Sequence, residues 1–315
     1  MPVKDTESAP AVLSDTKAPV AWPSMADPRP LEAHAQKLAG ELAVRVVYTD
    51  MDGTMLGRGG SFVRDPDGSL DPEPTATLLE ALGSGIDVVP ATGRSLRGLL
   101  GDARILGLQT VIAEMGAVVA YDVGREVVTN LGEYPGGEEP PAAHMERAGA
   151  VRLLFESFAG RLEHHTPWSA WRDYTQLFRG LVDTGEANAV LAGHDLGWLA
   201  LHDNGRLHGA YLGLEPGASH AYHLMPRGVD KGSAVALDRA RRGYAREETI
   251  AIGDAIADLA MAPEVGALIL VRDAVEADDA LAALASEIPN VYVSPRPGNL
   301  GWCDAMRSLA LTSTV

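Results

Sequence analysis

The chain has 315 residues, of which 46% are hydrophobic and 5% aromatic, and it carries a formal charge of −17. Its length and apolar content suit one large domain or two ordinary ones, while its charge argues against a nucleic-acid partner, which needs clustered Lys and Arg. One cysteine, Cys303, excludes a disulfide framework or a cysteine-rich zinc site, and reads instead as a small buried hydrophobe.

Residues 1–30 are rich in Pro, Ala, Ser and Asp and are expected to be a disordered extension. They contain no cationic stretch leading into an apolar one, so no secretory signal is expected. No apolar run reaches the length of a membrane span. The expectation is a soluble, cytoplasmic chain. Leu31, Ala35, Leu38 and Leu42 recur at helical spacing and lead into the valine-rich run Val44–Tyr48, a buried strand. That strand ends in Asp50-Met51-Asp52-Gly53-Thr54. Residues 57–74 read as loops, 75–82 as a helix, and 86–89 as a second strand ending in Thr92-Gly93-Arg94. A third strand over 110–113 ends in Glu114-Met115-Gly116. Strands alternating with helices indicate βαβ units and a parallel sheet.

The rhythm changes between 133 and 223. A Pro/Gly-rich linker at 135–141 precedes a helix over 145–162, and Asp203-Asn204-Gly205 signals a hairpin between 198–201 and 207–212. This stretch reads as an inserted α+β module, with the core formed by 31–132 and 224–315. Trp168, Trp171 and Trp198 lie within it, close to Arg172 and Tyr174. The tryptophans read first as the module's own core, and alternatively as faces for a sugar ring, with Arg172 suited to a second anion. His164 and His165 read as exposed at a helix end. The βα pattern then resumes with a helix over 233–242 and strands at 249–252, 267–271 and 291–293, and the tail after Leu309 reads as loose.

Asp50 and Asp52 are two apart on an extended backbone and so face one crevice at the carboxyl end of a strand, where open α/β sheets bind ligands. Two carboxylates there repel unless a cation or proton compensates. With Asp254 and Asp258 they form an oxygen-rich set suited to Mg²⁺. Lys231 adds a compact positive charge and Thr92 a hydroxyl beside the Gly93 amide, a set that suits a phosphoryl group. Arg94 either touches substrate or pairs with a local carboxylate. Lys231-Gly232-Ser233 lacks the glycine that a phosphate loop requires before its lysine, and no Gly-x-Gly-x-x-Gly follows a strand.

On these motifs the chain resembles the haloacid dehalogenase superfamily of phosphatases over roughly 41–306. It is most similar to the Cof-like branch, with sucrose-phosphate and mannosyl-phosphoglycerate phosphatases. The resemblance implies a Rossmann-like parallel sheet flanked by helices, with an inserted α+β cap that selects the leaving group. It implies Mg²⁺-dependent hydrolysis of a small phosphorylated metabolite, such as a sugar phosphate. Asp50 would be the nucleophile and a metal ligand. Asp52 would be the general acid and base, with its carbonyl on the metal. Thr92 and Gly93 would hold phosphate oxygens next to Gly53 and Arg94. Lys231 would stabilise Asp50 and the transferring phosphoryl, Asp254 would bind Mg²⁺, and Asp258 would orient a metal water or Lys231. Asp52 separates phosphatases and phosphomutases from the superfamily's dehalogenases and ion pumps. A phosphomutase is the first alternative. Met115 and Ala257 stand where the family commonly has Asn, which motivates the second: a weak, ligand-binding regulator. Oligomeric state is left open.

Overall fold

The computed structural model describes residues 28–312 except Glu138 and His208. The expected disorder of residues 1–27 lies outside that range. Just inside it the expectation needs correction, because strand β1 (Arg29–Pro30) pairs in parallel with the edge of the main sheet, and Arg29 Nη1 donates to the Ile288 carbonyl at 2.9 Å.

In chain order, helix α1 (Leu31–Glu41) leads to β2 (Val46–Thr49), followed by α2 (Glu73–Gly83), β3 (Asp87–Pro90), α3 (Leu96–Leu106) and β4 (Val111–Ala113). Two strands missing from the sequence reading, β5 (Val118–Tyr121) and β6 (Glu126–Thr129), extend β4 as an antiparallel meander. Next come helices α4 (Pro141–Arg147) and α5 (Ala150–Ser157), strands β7 (Leu162–His164) and β8 (Gln176–Gly180), helix α6 (Thr184–Ala192), and strands β9 (Leu199–Arg206) and β10 (His220–Pro226). The chain finishes with α7 (Lys231–Arg242), β11 (Thr249–Gly253), β12 (Ala267–Leu270), α8 (Arg272–Ala277), α9 (Asp279–Glu287), β13 (Val291–Val293) and α10 (Gly298–Ala305).

The main sheet is parallel, in the order β1-β13-β12-β11-β2-β3, and a parallel bridge from Ala91 to Ile112 carries it on to β4. Its central strands are buried along their whole length, as expected of valine- and isoleucine-rich strands covered on both faces. Alternation assigns the faces. Val47, Val88, Ile250 and Ile269 pack with Leu38, Leu99 and Trp302 on one side, while Val46, Tyr48, Ala251 and Leu268 pack with Val235, Met261 and Leu281 on the other. The tail is not loose at its start, since Leu309 and Ala310 are buried in the first of these cores. From β2 the chain moves to β3 on one side, and from β11 to β12 on the other. The β2/β11 boundary is therefore the switch point, where the sheet leaves a crevice.

The inserted module is a four-stranded antiparallel sheet, β7-β8-β10-β9, with α4, α5 and α6 on one face. Three details differ from the sequence reading. The single helix over 145–162 is two short ones, separated at Gly149, whose φ of +79° ends helical geometry. Asp203-Asn204-Gly205 makes no hairpin: β9 runs through it to Arg206, pairing with β10 across a bulge at His220–Tyr222. Asp203 Oδ1 accepts the Gly205 amide at 2.8 Å, so the turn chemistry survives inside the strand as a local kink. Finally, β10 carries the module's sheet on to Pro226.

Candidate active site

Adjacent strands bring the acidic motifs together. β2 pairs with β11 through Thr49 and Ile252, and the Asp50 amide donates to the Ile252 carbonyl at 2.9 Å. This places Asp50 beside Gly253-Asp254. Lys231 enters from the first turn of α7, a helix fixed by a reciprocal capping box between Asp230 and Ser233. Its ammonium donates to Asp50 Oδ1 and to Asp258 Oδ1, each at 2.6 Å, and all three groups are buried. The other oxygen of Asp258 accepts the amides of Asp254 at 2.9 Å and Ala255 at 3.0 Å. Both Asp258 oxygens are thus engaged. One of them holds the Lys231 ammonium and the other the turn after β11.

The electrostatics follow from this packing. Burial, then the Asp258 and Asp52 charges, push the Asp50 carboxyl up to about 6, against the pull of Lys231. Burial and the neighbouring Asp50 and Asp258 charges raise Asp254 well above the usual carboxylate range. Burial opposes the Lys231 charge, but Asp258 and Asp50 outweigh it and raise the ammonium's pKa. Lys231 is shared by two carboxylates, with Asp254 as a third beside them. Asp254 accepts the Thr54 hydroxyl at 3.2 Å and has no cationic side chain within ion-pair distance among the described residues. Gly53, at φ +90°, lets the backbone pass directly against Asp254, where a Cβ would collide with the carboxylate. An all-oxygen site with surplus negative charge fits a hard divalent cation. Among the described residues no cluster of three or more His, Cys, Asp or Glu side chains forms a ready-made metal site, so such an ion would rest on few protein ligands. Mg²⁺, which keeps several waters, suits that arrangement.

Asp52 stands apart from this group. Its side chain is 55% exposed and takes a bidentate pair from Arg94, at 2.8 Å from Nε and 2.6 Å from Nη2. Arg94 also holds Asp102 at 2.7 Å. Of the two readings of Arg94, the structure displays the carboxylate pair. Thr92 is buried at the end of β3, and its Oγ1 accepts the Arg94 amide at 3.3 Å. Gly93 has no room for a side chain, because a Cβ would stand 2.8 Å from His223 Nε2 and 3.3 Å from Met115 Sδ.

One contributor escaped the sequence reading. Glu114, at the end of β4, is buried and points its carboxylate into the cap. Its Oε2 accepts the amides of Tyr174 (3.1 Å) and Thr175 (2.9 Å) and the Thr175 hydroxyl (3.0 Å), while Oε1 takes the Asp173 amide at 3.4 Å. Burial raises the Glu114 pKa, against Arg172 and these donors. Arg172 reaches the loop after β3, donating to the Gly93 carbonyl at 2.8 Å, the Thr175 hydroxyl at 3.1 Å and the Trp168 carbonyl at 3.2 Å. Burial lowers its pKa to about 10, so it stays charged at neutral pH. Met115 packs with Ala117, Met225 and Val229, and Tyr174 and Ala257 rest on that cluster. The two positions that depart from the family pattern thus share one apolar seam between core and cap. Trp168 and Trp171 are 67% and 72% exposed and do not form the cap's core. Trp198 does pack against it. His165 is buried, not exposed at a helix end.

A model of the haloacid dehalogenase-like hydrolases matches residues 47–132 and 212–288. The chain belongs to that family. Curated relatives of this hydrolase are named phosphoglycolate phosphatase. One from Methanoculleus marisnigri is 28% identical over 233 residues, covering 73% of this chain and 85% of its own length. Another, from Pyrobaculum aerophilum, is 28% identical over 228 residues, covering 70% and 79%. Among solved structures, the fold is similar to sucrose-phosphatase from Synechocystis (TM-score 0.57, 13% identity, 84% of this chain and 97% of that one). It is also similar to a HAD/COF-like hydrolase from Plasmodium vivax (TM-score 0.56, 14% identity, 87% and 98%). The haloacid dehalogenase-like hydrolase described here has a parallel-sheet core with a cap-like antiparallel module inserted in it.

Proposed function

We propose that the enzyme hydrolyses phosphomonoesters of small metabolites through an aspartyl-phosphate on Asp50, with Mg²⁺ bound by Asp50, Asp254 and the Asp52 carbonyl. The observation that carries this reading is the buried chain Asp258–Lys231–Asp50 beside Asp254, a carboxylate and an ammonium held together at the end of β2. The metal, when bound, supplies positive charge to the phosphoryl oxygens. Asp50 attacks phosphorus as the ester P–O bond breaks. Asp52 gives its proton to the departing oxygen and takes one back from the water that cleaves the acyl phosphate at phosphorus. Phosphate leaves and the Asp50 carboxylate is restored. The Thr92 hydroxyl and Gly93 amide hold the phosphoryl oxygens, and Lys231 offsets charge on Asp50 and the transferring group. Both Asp52 oxygens are occupied by Arg94, so the acid role requires that pair to open when substrate binds.

A small substrate is supported by the relatives named phosphoglycolate phosphatase and by the fold shared with sucrose-phosphatase. The test is phosphate release from p-nitrophenyl phosphate by the full chain with Mg²⁺. Asp50→Asn is expected to lower the rate by roughly 10³-fold or more. Chelation with EDTA is expected to abolish turnover, and added Mg²⁺ to restore it. Wild-type turnover in Asp50→Asn would exclude the covalent route.

A further inference from the structure

Glu114, Met115 and Gly116 form the turn that ends β4, and all three lie in the left-handed region, with φ of +51°, +61° and +96°. All three are buried. Gly116 suits that conformation, but two consecutive residues with side chains do not. Such a backbone persists only where its surroundings over-determine it, and it gathers at reaction centres. The contacts that hold this turn reach two sides of the crevice.

On one side the turn grips the loop after β3. The Met115 amide donates to the Thr92 carbonyl at 3.1 Å, and the Glu114 amide to the Arg94 carbonyl at 3.0 Å. Arg172 takes the Gly93 carbonyl between them at 2.8 Å. All three carbonyls of residues 92–94 are thus engaged. The Thr92 amide donates to the Ile112 carbonyl and the Arg94 amide to Thr92 Oγ1. Of the three amides, only that of Gly93 has no hydrogen-bond partner among the described residues. With the peptide planes on both sides fixed, that N–H is a preset donor.

On the other side the turn abuts the start of α7. A Cβ on Gly116 would stand 2.1 Å from the Asp230 carbonyl oxygen and 3.1 Å from the Lys231 amide nitrogen. Asn130 Nδ2 donates to the Gly116 carbonyl at 3.0 Å and to the Ser233 hydroxyl at 2.9 Å. It therefore joins the turn to the capping box that carries Lys231.

We propose that this turn is the positioning element of the phosphoryl site, and that Met115 and Asn130 are its positioning residues. The left-handed backbone of Met115 sets the Gly93 amide, and Asn130 ties the same turn to Lys231. One segment of backbone thereby holds the donor and the cation that meet the phosphoryl group at a fixed spacing. The proposal rests on the phosphatase reading above.

The test is steady-state hydrolysis of p-nitrophenyl phosphate by the full chain with Mg²⁺, with inorganic phosphate as inhibitor. Met115→Ile keeps an apolar side chain of similar size, but a β-branched residue resists the left-handed region. Met115→Asn gives up the apolar contacts, yet asparagine adopts that region readily. The phosphate inhibition constant, which does not depend on the folded fraction, is expected to rise about tenfold in Met115→Ile. In Met115→Asn it is expected to stay within about threefold of wild type. A packing role alone would give the reverse order. Asn130→Ala is expected to lower kcat per folded molecule about tenfold and to change that constant less than about threefold, because Gly93 keeps its grip on the turn. Asn130 lies outside the strained residues, so its variant decides the proposal where Met115→Ile does not fold. Met115→Asn impaired more than Met115→Ile, an inhibition constant unmoved in Met115→Ile, or full kcat in Asn130→Ala would overturn the proposal alone. A wild-type chain inactive toward p-nitrophenyl phosphate would remove the phosphatase reading and the proposal with it.

Discussion

At the scale of single residues, the decisive arrangement is Lys231 between two carboxylates, with Asp258 in turn held by two amides. Asp258→Asn tests it sharply because Asn keeps the shape but not the symmetry. If its oxygen stays on the Asp254 and Ala255 amides, its NH₂ faces the Lys231 ammonium. If it flips, the NH₂ faces the amides. Either way two buried donors oppose each other, a loss of roughly 1–3 kcal/mol. Chemical denaturation should record that loss. Turnover should fall by roughly 10–100-fold as Lys231 leaves its place over Asp50, and equal stability and turnover in Asp258→Asn would remove the positioning role. The meeting of Asp50 and Asp254 was readable because the ends of adjacent strands in a parallel sheet converge by topology alone. The partner of Arg94 was not. It lies 42 residues from Asp52, and the choice among carboxylate, substrate and Asp102 depends on the angle of α3 to the crevice. Glu114 left a faint signal, as an acid immediately after a fully apolar strand, yet its partners lie some sixty residues downstream.

At the scale of elements, Glu114 joins core to cap. One carboxylate at the end of β4 gathers four donors from residues 173–175, and Arg172 in the same loop returns to the Gly93 carbonyl. The loop after β3 and the cap loop are therefore one hydrogen-bonded unit. Glu114→Ala strands these donors and is expected to cost roughly 3 kcal/mol, whereas Glu114→Gln keeps an acceptor for the three donors on Oε2 and is expected to cost about 1 kcal/mol. Hydrogen exchange over residues 166–176 should rise in the alanine variant before it rises in β2 or β11, and unchanged protection there would remove the joint. The core elements were legible because two-faced burial writes uninterrupted apolar strands. The cap was less so. Gly149 breaks a pattern whose apolar spacing continues across it, and Asp203-Asn204-Gly205 carries turn chemistry that a β-bulge absorbs without reversing the chain.

At the scale of the whole molecule, the core and the cap respond to pH in opposite senses, and the sign can be worked out for each. Asp50 is raised in the folded state, so the core binds protons more readily than the unfolded chain, and that contribution weakens as pH rises toward 6. His165 is depressed from 6.5 to about 4 by burial, Arg179 and Arg172, with Glu163 pulling the other way and Tyr211 against its ring. The unfolded chain then binds the extra proton. This contribution is fully present above pH 6.5 and is lost as pH falls through 4. Because the two trends oppose each other, the stability of the wild-type protein alone would not isolate either. The difference between wild type and His165→Gln does. At pH 5 the unfolded imidazole is protonated 1.5 units below its reference value of 6.5, so the variant should gain about 2 kcal/mol relative to wild type between pH 7.5 and pH 5. Urea denaturation at the two pH values measures that gain. A pH-independent difference would mean that His165 titrates normally in the folded protein, and that the cap's inner face admits water as freely as the unfolded chain does.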